Sequence, residues 1–301
     1  MPAEAPLQHG RHRHHALRYA GDVRLGFLVG LCACNQVFGV EPTEPRDAAF
    51  FDTALDAPFA CPSGTVPQFD RVLEQAVFQF CQEYNVSLDH DRAVAMCYEP
   101  VRQIAEGKID DTRLTPIPGF EAGVIDFDEP RLTPEGELIV RRNEPSGTVF
   151  ELYTRAGASW TSPTRLQLPA TVPPMILGTP SHGPDRRVFI TGTTTVYELE
   201  VDTSGNASEV HQYTPAELGV VAVSPVPANL TADGLRLVFS GLLAGDTFYR
   251  TLYTERQAVT ASFGAASAIS STATLYDPYL NSDCSRLYFS AAGSVFYAPR
   301  L

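Results

Sequence analysis

The chain has 301 residues, of which 44% are hydrophobic and 19% are charged, a composition that suits a folded domain with a large core. Its net charge of −13 at pH 7 repels nucleic acid and anionic lipid head groups, so the sequence predicts no nucleic-acid partner. No apolar stretch approaches the roughly 18 residues of a membrane-spanning helix, which excludes helical integral membrane proteins.

The N-terminal region contains a short apolar segment, 25–31, which follows several arginines and ends in Leu31-Cys32-Ala33-Cys34. This order resembles the bacterial lipobox, in which a small residue directly precedes a cysteine that is diacylated. The resemblance implies a signal peptide over 1–33 and a lipid on Cys34. It also implies export to the cell envelope, with lipid attachment at the periplasmic or outer-membrane face. The alternative is a soluble protein with an apolar N-terminal stub.

Residues 34–60 are rich in proline, alanine and acidic residues and contain little that a core could bury. This composition predicts a disordered tether between the lipid and a folded domain. The folded domain is expected to cover 61–301.

Four later segments repeat one pattern, in which an acidic turn residue is followed by a short apolar run. The segments are 128–140, 178–190, 225–239 and 276–289, and their turn residues are Glu135, Asp185, Asp233 and Asp283. A weaker fifth copy places Asp91 in the same register upstream. A turn-and-strand unit repeated at about 50 residues is typical of propeller blades.

The apolar runs lack strict alternation with polar residues, so each is expected to be a strand covered on both faces. A second strand follows each run after a short connection. The sequence therefore predicts an all-β fold, a small β-propeller with five blades over 65–301. Four blades are the alternative if 65–110 forms a separate cap.

The last unit ends soon after its second strand, which would leave an exposed sheet edge. Residues 66–82 are expected to supply the missing strand and to close the ring from the N-terminal side. The apolar residues of this stretch also fit helical spacing, so a short amphipathic helix is the alternative.

The repeats resemble the TolB-type β-propeller repeat, a relative of the WD repeats whose consensus centres on a Ser-Pro-Asp-Gly turn before a strand. The segments 133–136 (Thr-Pro-Glu-Gly) and 231–234 (Thr-Ala-Asp-Gly) match best, and the other turns keep part of the pattern. The resemblance covers 120–301 and implies a propeller fold without implying an activity.

Four cysteines follow Cys34, and an even number in an exported chain favours disulfides. Cys81 and Cys97 flank the turn of the first unit, so they are expected to join neighbouring strands. Cys61 would then pair with Cys284 and link the start of the domain to its last blade. The alternative is a reduced Cys284 that only replaces a turn glycine. No two of these cysteines have the C-x₂-C spacing of a zinc site, and no metal is predicted.

Catalytic motifs are few: the sequence has no G-x-S-x-G elbow, no H-E-x-x-H pair and no calcium-binding loop, and it predicts no cofactor. Four carboxylates are expected just before the innermost strands near the channel, namely Asp126, Asp128, Glu129 and Asp277. Five-bladed propellers include glycoside hydrolases, which need two acids in a central funnel. The competing interpretation is that Asp128 and Asp277 bond the local backbone.

Two hypotheses of function follow from these observations. The sequence favours a lipid-anchored, non-enzymatic binding or scaffold module whose partner is an unknown protein, peptide or glycan. The alternative is a secreted carbohydrate-active hydrolase that uses the channel carboxylates. Because a fold does not by itself imply catalysis, the prediction at this point is that the chain is not an enzyme.

Overall fold

The computed structural model describes residues 61–301 apart from gaps at 71–74, 87–91, 99–100, 109–110, 112, 122–125, 162, 180, 182–185, 270–274 and 282. The predicted signal peptide, Cys34 and the tether lie outside the described residues, as do the turn residues Asp91 and Asp185. Every helix or strand assigned in the described part is a β-strand. No helix there has the length and apolar character that crossing a bilayer requires.

Five sheets form the blades, and the strands follow one another in chain order within each blade. The first strand, β1 (Gln75–Gln79), belongs to the last blade. Blade 1 contains β2 (Cys81–Val86), β3 (Arg92–Cys97), β4 (Gln103–Lys108) and β5 (Thr115–Glu121). Blade 2 contains β6 (Asp126–Leu132), β7 (Leu138–Glu144) and β8 (Gly147–Tyr153), then a hairpin of β9 (Arg155–Ala156) and β10 (Ser159–Trp160), and finally β11 (Thr164–Arg165).

The remaining three blades follow the same plan. Blade 3 contains β12 (Ile176–Leu177), β13 (Arg186–Thr191), β14 (Val196–Val201) and β15 (Ala207–Tyr213). Blade 4 contains β16 (Ala222–Val223), β17 (Asn229–Leu230), β18 (Arg236–Leu242), β19 (Arg250–Glu255) and β20 (Ser267–Ala268). Blade 5 contains β21 (Tyr276–Leu280), β22 (Arg286–Ala291) and β23 (Ser294–Pro299), with β1 as its outer strand.

An apolar cluster fills each of the five gaps between neighbouring blades. The gap between blades 5 and 1 holds an aromatic cluster in which the ring centroid of Tyr84 lies 5.5 Å from those of Phe78 and Tyr288. The blades therefore meet all the way around a closed ring. The prediction of a five-bladed propeller is confirmed, and the alternative of four blades with a separate cap is wrong because 81–121 forms a blade.

The predicted apolar runs are the second strands of their blades, β7, β13, β18 and β22. Their central residues are covered on both faces; Leu138, Phe189 and Val238, for example, have no exposed surface. The innermost strand of each blade lies just before this apolar strand in the chain. Each structural repeat therefore begins one strand earlier than the apolar run that marks it in the sequence.

The ring closes through β1, which pairs antiparallel with β23 so that Gln79 lies opposite Ser294. Farther along, Phe69 forms an isolated bridge with Arg300, and the Leu301 amide donates to the Gln68 carbonyl at 2.9 Å. The prediction of a closing N-terminal strand is confirmed, and a helix at β1 is excluded. Pairing removes the edge that β23 would otherwise expose.

Both predicted disulfides are present. Cys81 and Cys97 are direct partners in the β2–β3 pair, and Cys61 is bonded to Cys284 in the turn before β22. Cys284 has φ of 57°, in the left-handed region that the glycine of the equivalent turn in blade 4, Gly234, adopts with φ of 69°. Cys284 thus replaces a turn glycine and is also oxidised, and two disulfides agree with an oxidising, exported compartment.

Candidate functional site

Three innermost strands carry a β-bulge at the same place. The pairing register shifts between Gln82 and Asn85 in β2, between Asp128 and Arg131 in β6, and between Tyr276 and Tyr279 in β21. In each strand the first residue inside the bulge is acidic. These three residues are Glu83, Glu129 and Asp277. Bulges re-aim side chains and are frequent next to active sites.

The backbone of all three acidic residues is strained. Glu83, Glu129 and Asp277 have φ of 51°, 47° and 51°, in the left-handed region that costs side-chain-bearing residues free energy. Such strain is maintained only where the surrounding structure imposes it, and it concentrates at functional sites. Because three equivalent positions share this strained backbone and each carries a carboxyl group, we interpret them as one functional cluster of carboxylates.

The three acidic residues line one cavity of about 450 Å³ at the mouth of the central channel. The turn at 291–293 between β22 and β23 contributes to its rim. The rest of the lining is largely apolar and includes Ile176, Pro225, Val226, Pro227 and Tyr276. The cavity therefore combines carboxylates from blades 1, 2 and 5 with apolar residues from blades 3 and 4 and with Tyr276.

A buried polar network closes the channel and fixes Asp277. Arg131 has no exposed surface, and its two terminal nitrogens donate to the two carboxylate oxygens of Asp277 at 3.0 and 3.3 Å. The Asn229 side chain also donates to Asp277 Oδ1, at 3.3 Å, and the Thr179 amide donates to Asn229 Oδ1 at 2.8 Å. Asn85 completes the network by donating to Thr179 Oγ1 at 2.7 Å.

This network contains one residue from each blade, so it holds the ring together by hydrogen bonds as well as by apolar packing. Its arginine is the only contributor that carries a positive charge, and it needs the Asp277 carboxylate because a buried charge without a partner is costly. Asp277 is thus held in a fixed orientation.

Glu83, Asp128 and Glu129 form a second, connected group. The carboxyl groups of Glu83 and Asp128 share a hydrogen bond, and the Glu129 amide donates to Glu83 Oε2 at 2.9 Å. Arg141 reaches both acidic neighbours, with Nη1 2.7 Å from Glu129 Oε1 and Nη2 2.7 Å from Asp128 Oδ2. Arg102 lies 3.0 Å from Asp128 Oδ1.

Burial and these neighbours give the three carboxyl groups different proton affinities. Burial, with the hydrogen bond and negative charge of Asp128, raises the pKa of Glu83 to about 9. Burial alone would raise the pKa of Asp128, but the hydrogen bond from Glu83 and the charge of Arg141 lower it to about 2. Burial raises the pKa of Glu129 to about 7 against the opposing charges of Arg141 and Arg131.

The predicted channel carboxylates are only partly where the sequence placed them. Asp128 and Glu129 lie within β6, and Asp277 within β21, rather than before the innermost strands. Asp126 begins β6, and its side chain falls outside the described part of the chain. The local-backbone interpretation is wrong for Asp277, whose side-chain partners come from other blades. Asp128 does accept from the Glu129 amide at 3.2 Å, but it also pairs with two arginines.

Sequence reasoning missed Glu83 and Arg131. Glu83 belongs to the weakest repeat and lacks the proline that follows Glu129 and Asp277, so no motif marked it. Arg131 sits in an innermost strand, where a charged residue gives no apolar signal. Glu83 matches Glu129 and Asp277 in its position within the innermost strand, and that signal appears only once the strands have been aligned.

The predicted blade-turn residues shape turns rather than the site. Asp233 Oδ1 accepts from Thr231 Oγ1 at 2.6 Å and from the Leu235 amide at 3.0 Å, and Asp283 Oδ1 accepts from the Ser285 amide at 2.8 Å. Glu135 is exposed in the corresponding turn. These turns lie at the far ends of the innermost strands from the cavity. Within the described ranges, no group of three or more histidines, cysteines and acidic residues is arranged to hold a metal ion.

Solved structures similar in fold include XC5397 of Xanthomonas campestris, a gluconolactonase, at 9% identity and a TM-score of 0.42, with 81% of this chain and 98% of that chain covered. They also include a GH62 hydrolase in complex with xylotriose, at 7% identity and a TM-score of 0.43, with 80% of this chain and 95% of that chain covered. The Dos1 propeller is similar at 11% identity and a TM-score of 0.36, with 73% of this chain and 68% of that chain covered. No protein-family model matches the chain. A search of curated proteins finds no match in sequence.

The prediction that the chain is not an enzyme is wrong. It depended on the absence of catalytic motifs, whereas the solved structures similar in fold include a gluconolactonase and a hydrolase. At these identities the likeness extends to the fold and not to a particular activity. A chemical role has to be read from the carboxylate cavity itself.

Proposed function

We propose that the chain is a carbohydrate-active hydrolase, with Glu83 as the general acid and Glu129 as the basic carboxylate. The observation that carries the proposal is that Glu83 and Glu129 line one cavity, where different neighbours give their carboxyl groups different proton affinities. The pKa of Glu83 is raised to about 9 and that of Glu129 to about 7, so Glu83 keeps its proton to a higher pH than Glu129 does. Hydrolysis of a glycosidic bond needs such an unequal pair of acids.

In this proposal, Glu83 transfers its proton to the oxygen of the glycosidic bond as the bond from that oxygen to the anomeric carbon breaks. Glu129 removes a proton from a water molecule, whose oxygen forms the new bond to the anomeric carbon. Proton exchange with solvent then restores both residues. Asp128 stays ionised beside Glu83, and its negative charge and hydrogen bond help to keep the proton on Glu83 until the substrate takes it.

Asp277 has a different part in the proposed reaction. Its carboxylate faces the same cavity but is fixed on both oxygens by Arg131. A fixed negative charge stabilises the positive charge that develops on the sugar ring in the transition state. Arg131 is then a positioning residue, because it acts on the substrate through Asp277.

The rate of hydrolysis is expected to follow a bell-shaped dependence on pH. Activity should fall as the pH drops below about 7, because Glu129 becomes protonated, and should fall above about 9, because Glu83 loses its proton. The test is a kcat/KM profile from pH 5 to 10 on whichever polysaccharide a broad glycan panel shows to be cleaved. A profile that does not fall below pH 7 or above pH 9, or a panel with no cleavage, would overturn the assignment.

We also propose that the chain carries TolB-type repeats and is exported and lipid-anchored through Cys34, with the membrane as its partner at that end. The two disulfides support an oxidising compartment, and the negative net charge supports the absence of a nucleic-acid partner. The expected result in a bacterial host is an N-terminus at a diacylated Cys34, measured by mass spectrometry. Blocking lipoprotein signal peptidase should leave residues 1–33 attached. A mature N-terminus elsewhere, without lipid, would rule out the anchor.

A further inference from the structure

Exposed aromatic side chains collect on the propeller face that holds the cavity. In the described part of the chain, Tyr276, Phe80 and Tyr98 are 63%, 51% and 39% exposed. Tyr276 lines the cavity and pairs with Ser290 beside the rim turn at 291–293. Phe80 directly follows the strand β1, whose last residue lies opposite Ser294 at the other end of that turn.

Tyr98 continues this group onto blade 1, because its amide donates to the Phe80 carbonyl at 2.8 Å. The aromatic residues therefore extend from the cavity in blade 5 across to blade 1, the blade that contains Glu83. The ring face of a solvent-exposed tyrosine or phenylalanine is apolar, so covering it with a flat apolar surface costs little desolvation free energy. Exposed aromatic residues that continue a pocket mark a binding surface more often than scattered apolar residues do.

The charges around the cavity balance. With its proton in place Glu83 is neutral, and the two other acidic residues of the lining, Glu129 and Asp277, are paired with Arg141 and Arg131. Asp128 is paired with Arg102 and Arg141. These pairs are 2.7 to 3.0 Å long. An anionic ligand would compete with these carboxylates and a cationic one with these arginines. A ligand without charge disturbs neither set.

Size limits what the cavity can hold. A volume of about 450 Å³ lies towards the small end of the usual range for ligand sites, about 300 to 1,000 Å³. A longer molecule would therefore have to continue over the surface, where the exposed aromatic residues lie.

We infer that the substrate is a neutral polysaccharide that binds with one sugar ring against Tyr276 and continues across blade 1 over Phe80 and Tyr98. This inference rests on the proposed hydrolase function and adds its substrate class and its substrate-binding surface. The C–H faces of sugar rings cover the aromatic rings, and the bond to be broken lies between Glu83 and Glu129.

The test compares neutral, uronic-acid and amino-sugar polysaccharides, and neutral oligosaccharides of two to six rings, as substrates of the folded protein. Tyr276→Ala is expected to raise KM for a neutral hexasaccharide about tenfold while leaving kcat nearly unchanged, and Tyr276→Phe should restore KM. Phe80→Ala should raise KM for the hexasaccharide but not for the disaccharide. Val210→Ala, an exposed apolar residue on the outer strand β15, serves as the matched control.

A second readout does not depend on turnover. Calorimetric titration of the Glu129→Gln variant with the hexasaccharide should give an affinity that Tyr276→Ala lowers by the same factor. Preference for a charged polymer, or unchanged KM and affinity in Tyr276→Ala and Phe80→Ala, would overturn the inference and leave the proposed hydrolase standing. Failure of every glycan class to bind or be cleaved would overturn the proposed function as well.

Discussion

Replacing Glu129 by glutamine is expected to lower kcat for glycan hydrolysis by about 10²- to 10⁴-fold, the usual contribution of one acid–base group. Glutamine has nearly the same shape and can still accept the hydrogen bond that the Leu177 amide donates to Glu129 Oε2 at 3.2 Å. It cannot take a proton from water. The acidic limb of the pH profile, near pH 7, should disappear from whatever activity remains.

The stability of the same variant separates a catalytic role from a structural one. The pKa of Glu129 is raised from 4.5 to about 7, so the folded state binds the proton more tightly than the unfolded state. Its contribution favours folding at low pH and is lost as the pH rises towards 7, beyond which the buried charge opposes folding. Glu129→Gln is therefore expected to melt at no lower a temperature than the parent protein at pH 8, although its rate of hydrolysis is strongly reduced.

The matched control is Glu135→Gln, which removes an exposed carboxylate from a blade turn at the other end of the innermost strand. It should change neither the rate nor the melting temperature. If Glu129→Gln kept full activity, or if it lost activity only because it had unfolded, Glu129 would not be the base.

Removing the disulfide between Cys61 and Cys284 is expected to cost about 5 kcal/mol of unfolding free energy in the chain-entropy treatment. The two residues are separated by 223 positions, so the bond closes a loop that covers nearly the whole domain. Its loss would also release the segment that contacts the last two blades, where the Cys61 carbonyl accepts from Arg236 Nη2 at 2.6 Å. Cys61→Ala with Cys284→Ala is preferred to serine because both sites are packed in an apolar cluster.

The matched control is Cys81→Ala with Cys97→Ala, since this second disulfide spans only 16 positions and should contribute about 3 kcal/mol on the same basis. Urea unfolding with linear extrapolation measures both variants. The larger loss is expected in the first variant, because its disulfide closes the longer loop. Equal losses, or a larger loss in the second, would contradict it.

Much of the fold was predictable from local pattern. The acidic turns and apolar runs repeat because every blade solves the same problem, a tight turn followed by a strand buried on both faces. Leu138, Phe189 and Val238 therefore carry the same signal in each copy. The missing outer strand of the last unit predicted that an N-terminal segment would close the ring, and cysteine positions limited the disulfides to a few pairings.

The site was less predictable. Asp128, Glu129 and Asp277 stood out as acidic residues near the channel, but whether they bonded the local backbone or faced a common cavity depended on bulges that no sequence motif marks. Glu83 has the same bulge and φ as Glu129 and Asp277, yet it lies in the repeat that has diverged most. The absence of familiar motifs led to the prediction of a non-enzymatic module, which the comparisons contradict.

The amino-acid sequence by itself determined the repeat and the all-β class, because these follow from residues close together, and it narrowed the closing segment and the disulfide pairs to a few alternatives. Only the tertiary structure decided the chemistry of the channel. Arg131 and Asp277 meet across 146 positions of the chain, and Glu129 meets Glu83 across 46. The proton affinities of Glu83 and Glu129 arise from burial and from charges that the ring brings together, and neither is visible until the blades have closed.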